Sequence, residues 1–296
     1  MELKAIASRL DAKWTVIILA VGALVLFTVV PMLYLVVRSF FVNETINFTN
    51  YRDVYSAAVN WRALITTFKL SLVVMILSLV LSFPLAWLVG RTNMPGKEFF
   101  RTLFVATYMI PPYVGAIAWV QLLNPSVGYL NTLLVKWLGL ESSPFNIYSE
   151  AGLVWVLTLF YSPFAFITIS RAMEKMDPTF EEAARISGAS PLRTMWDVTL
   201  PLMFPSILAG GLLVFIAAAS CFGIPSIVGM PAGIEVLTTR IVTYVYMGDS
   251  KGIRDATALA VSLMVISNAI LLFITMVLSK KEYVTISGKS TRPNIV

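Results

Sequence analysis

The chain has no histidine and only one cysteine, Cys221. The lack of histidine removes the commonest ligand of transition metals and the usual charge switch near neutral pH. A single cysteine excludes an internal disulfide and says nothing about the redox compartment. Only 13% of the 296 residues are charged, about half the share typical of soluble domains. The composition therefore argues against an ordinary soluble fold, and the residues predict no metal site.

Hydrophobic residues make up 58% of the chain, and the mean hydropathy is +0.81. Six stretches free of charge have roughly the 20 residues that a helix needs to cross a bilayer. We therefore expect an all-α integral membrane protein with a six-span domain at 14–279, a cytoplasmic segment at 1–13 and a cytoplasmic tail at 280–296. The predicted spans are 14–37, 70–90, 102–123, 151–170, 203–224 and 256–279.

The net charge of +6 reflects basic residues at the ends of these spans rather than a nucleic-acid surface. With both termini inside, fourteen of the 22 lysines and arginines face the cytoplasm. The positive-inside rule then places the charged loop after the fourth span in the cytoplasm. Outside the membrane, residues 39–61 and 124–150 are predicted to form short interfacial helices.

The most informative segment is residues 177–201, DPTFEEAARISGASPLRTMWDVTLP. Asp177 and Pro178 predict the start of a helix that reaches about Ser187, and Gly188 suits a left-handed closing turn. Ser190 with Pro191 repeats the start signal for a second short helix, which Pro201 is expected to end or kink.

Within the first helix, Glu181 is predicted to pair with Arg185, and Glu182 to meet a cation on a partner. Spacing alone fits an ordinary amphipathic loop helix about equally well.

The loop also resembles a family motif. Glu-Ala-Ala, three residues, glycine, nine residues, isoleucine, any residue and Leu-Pro form the EAA loop of permease subunits in bacterial ABC importers. This chain matches that spacing with valine in place of isoleucine. The matching residues are Glu182, Ala183, Ala184, Gly188, Val198, Leu200 and Pro201. The Pro-Pro-Tyr segment of the third span, the SPFAF run at Ser162–Phe166 and the DPTFEEAARISGAS loop resemble the ferric-iron type of this family and its relatives for polyamines and phosphonates. The chain also resembles the first half of a double-length iron permease.

The resemblance implies a type I ABC importer permease fold whose loop, at 172–201, carries a coupling helix. It implies a cytoplasmic ABC ATPase dimer docked on that loop, a second permease half in the same or a different chain, and a periplasmic or lipid-anchored solute-binding protein. It also implies location in the bacterial inner membrane and alternating access driven by ATP. Ferric iron is the expected solute, with polyamine, 2-aminoethylphosphonate and sugar phosphate as alternatives.

A path for the solute is predicted from two further segments. Adjacent prolines in the third span should bend the helix, either as a packing kink or as part of a pathway wall. Small residues near the end of the fifth span suit close helix packing first and a pathway second. The candidate path residues are Tyr108, Pro111, Pro112, Tyr113, Ala219 and Ser220.

The span cores contain no Asp, Glu, Lys, Arg or His, the residues that ion-driven carriers generally need for a relay. The near-matches to a phosphate-binding loop also fail, because Tyr283 stands where the first glycine must lie before Gly288. The chain is thus expected to be no enzyme and to bind no cofactor, with ATP used by a partner. A channel or ion-driven carrier, and a membrane docking scaffold, remain as competing functions.

Overall fold

The structure is a computed structural model that describes residues 14–42 and 45–280. The segment at 1–13 and the tail beyond Lys280, both predicted to be cytoplasmic, lie outside these residues. The described chain is almost entirely helical. Its helices are α1 (Trp14–Ser39), α2 (Thr49–Ser56), α3 (Ala58–Arg91), α4 (Lys97–Ala106), α5 (Pro112–Leu123), α6 (Tyr129–Leu138), α7 (Glu150–Lys175), α8 (Thr179–Ile186), α9 (Pro191–Ala219), α10 (Leu237–Tyr246) and α11 (Ser250–Lys280).

Five of these helices are long and apolar enough to cross a membrane, namely α1, α3, α7, α9 and α11. A sixth span results if α4 and α5 count as one broken segment. This confirms the expected all-α, six-span architecture. The helices are longer than the predicted spans. α3, for example, has 34 residues where 70–90 was predicted. At 1.5 Å per residue it is about 51 Å long, whereas the hydrocarbon core of a bilayer is about 30 Å thick.

The third predicted span is interrupted rather than gently bent. α4 and α5 meet at an angle of 101° across a break that contains Pro111. A short 3₁₀ turn, Thr107–Met109, ends α4, and Pro112 occupies the first turn of α5, where a missing amide hydrogen costs nothing. The two prolines thus do more than the predicted bend, because together they end one helix and begin another.

Pro201 does not end the helix that it follows, so the first of the two expected outcomes, an end or a kink, is wrong. α9 runs from Pro191 to Ala219, and a π turn, Met195–Thr199, lies just before the proline. The wider turn shifts the hydrogen-bond register, so the proline falls where the helix can tolerate the absent donor. The second loop helix and the fifth span are therefore one element, which ends before Ser220 rather than at the predicted Ile224.

Among the described residues, 61–240 and 266–280 belong to one compact unit, which centres on α7. In the most apolar 18-residue stretch of α7, 61% of the residues are buried, against 28% in the corresponding stretch of α3. α9 approaches α7 closely, because a Cβ on Gly210 would lie 3.1 Å from the Cα of Ala165. The core of this unit is thus the α7–α9 contact, from which the loop between these helices projects.

The other unit comprises the described residues 14–42, 45–60 and 241–265. Its described part contains α1, a two-stranded hairpin of β1 (Phe41–Val42) and β2 (Thr45–Ile46), and the predicted short helix α2. Asn60 is fully buried and donates hydrogen bonds to the Val54 carbonyl at 2.7 Å and the Tyr244 hydroxyl at 3.1 Å. This amide side chain ties the start of α3 to α10 inside the unit.

Candidate coupling loop and translocation path

The loop helix α8 has the predicted caps at both ends. The Asp177 carboxylate accepts a hydrogen bond from the Thr179 amide at 2.9 Å, which holds the pKa of Asp177 below its usual range. A carboxylate there also faces the positive end of the helix dipole. At the other end, Gly188 adopts φ +85°, and the Ala189 amide donates to the Ala184 carbonyl at 3.0 Å. This left-handed closure confirms the role predicted for Gly188.

The second start signal is confirmed as well. The Ser190 hydroxyl accepts a hydrogen bond from the Arg193 amide at 3.3 Å, and Pro191 occupies the first turn of α9. Two capped helices therefore flank one left-handed glycine, which fixes the turn between α8 and α9. A loop built in this way holds a defined shape rather than an extended connection.

Glu181 does not pair with Arg185, so the predicted pairing is wrong. Its carboxylate lies 3.7 Å from the Arg91 guanidinium, and it accepts a hydrogen bond from the Thr199 hydroxyl at 2.7 Å. The Arg91 side chain is fully buried, and that of Glu181 is 5% exposed. The reason is geometric: Glu181 lies on the face of α8 that turns toward the C-terminal end of α3.

The opposite side of the loop is open to its surroundings. Ala183 and Gly188 are exposed, Glu182 and Ala184 are half-buried, and Ile186 is 89% exposed. Further along, Leu192 and Trp196 also expose large apolar side chains. Of the remaining motif residues, Val198 and Leu200 are half-buried and Pro201 is exposed. A firmly capped loop thus presents small and apolar groups outward.

The residues predicted to line a path fall at the break of the third span and the end of α9. Tyr108, Pro111, Tyr113 and Ser220 are exposed, and Pro112 is half-buried. Ala219 is only 1% exposed, so its side chain packs inside the fold. A Cβ on Gly223 would lie 3.3 Å from the Tyr113 amide nitrogen, which shows that the two predicted segments do meet.

Sequence reasoning missed the residues that hold the loop on the membrane helices. The sequence marks Arg91 only as one of several basic residues at the ends of spans, yet its side chain reaches Glu181, 90 positions later in the chain. The Arg101 guanidinium likewise pairs with Glu174 at the end of α7. A basic residue at a span end is common, so the sequence contains no signal that would have singled out these two.

The profile of the family described as "Binding-protein-dependent transport system inner membrane component" matches residues 82–282, more than half of the chain. The chain belongs to this family. It is therefore the permease subunit of an ABC importer, a multi-pass membrane protein and not an enzyme. The permease family matches from within α3 through the loop to α11, so it includes every motif residue and every candidate path residue.

Several curated permeases are similar in sequence. The spermidine/putrescine transport system permease protein PotB of Escherichia coli (strain K12) is 29% identical over 223 residues, which are 72% of this chain and 79% of PotB. The putative ferric transport system permease protein FbpB 1 of Haemophilus influenzae is 26% identical over 271 residues, 91% of this chain but 42% of that protein. The probable sulfate transport system permease protein cysT of Zygnema circumcarinatum is 28% identical over 219 residues, 74% of each.

Solved structures of ABC transporters share the fold. A chain of a bacterial ABC transporter involved in the import of the acidic polysaccharide alginate superposes with a TM-score of 0.77 at 20% identity, over 95% of this chain and all of that chain. A chain of the MetNI methionine ABC transporter gives a TM-score of 0.55 at 17% identity, over 74% and 94%. At these identities the likeness concerns the fold alone.

Proposed function

We propose that this permease subunit forms half of a path for ferric iron and is driven by a separate cytoplasmic ATPase dimer, which docks on α8. The observation that carries the docking is the geometry of the loop. α8 is anchored on its buried side by Glu181 and presents Ala183, Ile186 and Gly188 on its open side. Small and apolar exposed residues on a rigid helix suit close contact with a cleft in another protein.

In this proposal the loop faces the cytoplasm, and the region 14–279 acts as one transport domain in the bacterial inner membrane. A second permease half, in the same or another chain, completes the path, and a periplasmic or lipid-anchored binding protein delivers the solute. ATP closes the ATPase dimer, and α8 carries that closure to the spans. A partner can shift the equilibrium between the inward-facing and outward-facing states only if it binds one state more tightly than the other, and only by that difference in binding free energy.

The proposed path runs between the broken third span and the end of α9. Tyr108, Pro111, Tyr113 and Ser220 supply the exposed groups, with Pro112 shaping the break. The carbonyls that a proline leaves without a helical partner suit a water-filled cavity at membrane depth. Ala219 contributes by close packing rather than by contact with the solute, because its side chain is buried.

Iron is the preferred solute because the match to the ferric permease of Haemophilus influenzae spans 91% of this chain. A polyamine is the second candidate, favoured by the higher identity to PotB and the 79% of PotB that is covered. In the described ranges 14–42 and 45–280, no three His, Cys, Asp or Glu side chains gather in a way that could hold a metal ion. Iron would accordingly pass as a weakly held substrate.

Reconstitution tests both levels of the proposal. The permease, its ATPase and its binding protein are placed in liposomes, and uptake of ⁵⁵Fe(III), ¹⁴C-spermidine and ³⁵S-sulfate is measured with and without ATP. We expect uptake of iron that requires both ATP and the ATPase. Uptake without the ATPase would indicate an ion-driven carrier or channel. Failure to bind an ATPase and to move any solute would indicate a scaffold. Uptake of spermidine in place of iron would change the proposed solute but leave the proposed ATP-driven mechanism intact.

A further inference from the structure

Arg91 lies where a basic residue at the end of a span would ordinarily extend its side chain into water. Instead its side chain is fully buried, and its guanidinium Nε is 3.7 Å from a carboxylate oxygen of Glu181. Withdrawing a guanidinium from water is costly unless a partner offsets the loss. The direction of this side chain therefore reflects a specific attachment between α3 and α8.

The attachment joins four elements at one point. Arg91 Nη2 donates a hydrogen bond to the Met176 carbonyl at 3.3 Å, at the C-terminus of α7, where the helix dipole favours a cation. Thr199, in the π turn of α9, donates its hydroxyl hydrogen to Glu181 at 2.7 Å. The C-terminal ends of α3 and α7 are thus joined by the Arg91 guanidinium, and the Glu181 carboxylate adds the loop helix and the π turn of α9 to the same cluster.

The contact between Arg91 and Glu181 leaves several buried nitrogen atoms of the described chain without hydrogen bonds, so it is a poor source of folding stability. Among the described residues, Arg91 Nε and Nη1 make no hydrogen bond, and neither does Arg185 Nε. Arg185 also lies close enough to Arg91 for the two charges to repel. A buried charge pair of this kind is weak evidence for stability, whereas fixing one orientation of α8 against α3 explains why it is buried at all.

We infer that the Arg91–Glu181 contact makes α8 and the inner end of α3 move as one body during transport. Arg91 is then a positioning residue: it touches neither solute nor nucleotide, but it determines how far a displacement of the loop helix reaches the second span. This inference rests on the proposed docking of an ATPase on α8, and it adds the route by which the movement enters the membrane.

The test places spin labels at Ile186 on α8 and Leu88 on α3, both exposed, in the complete complex with its ATPase. Electron–electron distance distributions are recorded without nucleotide and with ATP and vanadate. In the wild type we expect one narrow distribution that stays unchanged on adding ATP and vanadate. In Arg91→Gln we expect a broad distribution that shifts with the nucleotide, and in Arg91→Lys a return toward the narrow form.

Two further variants keep the test decisive if Arg91→Gln fails to assemble. Thr199→Val removes one hydrogen bond from Glu181 and should broaden the distribution less. Lys69→Gln breaks an exposed ion pair between the same helix α3 and Glu150, at a position 22 residues before Arg91, and should leave the distribution narrow. A wild-type distance that changes with nucleotide, equal broadening in Lys69→Gln, or no broadening in Arg91→Gln would overturn the inference. The distributions without nucleotide test the contact even if no ATPase response is seen.

Discussion

Substituting Gly188 separates the backbone conformation of the loop from its proposed contact with the ATPase. The residue adopts φ +85°, and no heavy atom lies within 4 Å of the position that a Cβ would take. Alanine therefore meets no clash and only bears the cost of the left-handed conformation, about 1–2 kcal/mol. Aspartate bears less of that cost because its short polar side chain tolerates this conformation. The expected order of permease stability is thus glycine, aspartate, alanine.

Coupling should follow the opposite order for these two variants. If an ATPase covers Gly188, an aspartate there desolvates a carboxylate with no partner, which costs upward of about 1–3 kcal/mol. Since 1.4 kcal/mol is a factor of ten, Gly188→Asp should lower ATP-dependent uptake about tenfold or more. Gly188→Ala should keep most of the uptake while lowering the thermal midpoint of the purified permease by about 2–4 °C. Uptake in Gly188→Asp equal to that in Gly188→Ala, at matched expression, would refute the reasoning.

Two further predictions concern the loop and the segment after α5. Glu182→Lys reverses the charge of a half-buried residue on α8, so uptake should fall while ATP hydrolysis by the complex, measured as phosphate release, continues. Unchanged uptake would show that Glu182 is not part of the docking surface. Asn131 is 1% exposed, and its side-chain amide nitrogen donates to the Leu123, Asn124 and Phe145 carbonyls. Asn131→Leu should therefore lower the free energy of unfolding by about 1–3 kcal/mol. It should also hasten proteolysis of residues 124–149. The exposed Thr132→Ala on the same helix should change stability by less than about 0.5 kcal/mol, and equal losses in both variants would contradict this reading.

Much of the fold could be predicted from the sequence because it depends on residues that are close together in the chain. The apolar stretches predicted the spanning helices because a bilayer leaves a backbone few other ways to satisfy its hydrogen bonds. The loop geometry followed from Asp177, Gly188 and Ser190, since caps and left-handed turns depend on residues that are neighbours in the chain. Pro111 and Pro112 likewise predicted a bend in the third span, but neither the interruption of the helix nor its 101° angle.

What the sequence did not reveal depends on contacts between distant segments. The π turn before Pro201 lets α9 continue, and nothing local announces it. Local spacing favoured a pair between Glu181 and Arg185 one turn apart, but the fold brings Arg91 to the same carboxylate. Burial of Ala219 is another such result, because small residues suit both a path and a close helix contact, and only the packing decides between them.

The most direct test of the account is the accessibility of α8 itself. Ile186→Cys places a thiol at a site that is 89% exposed in the wild type, in a chain whose buried Cys221 is replaced by serine. We expect an impermeant maleimide to label this thiol in inverted membrane vesicles but not in intact spheroplasts, and a short bifunctional reagent to join it to the ATPase. Labelling from the outer face, or no crosslink to the ATPase in the assembled complex, would contradict the claim that α8 is the coupling helix.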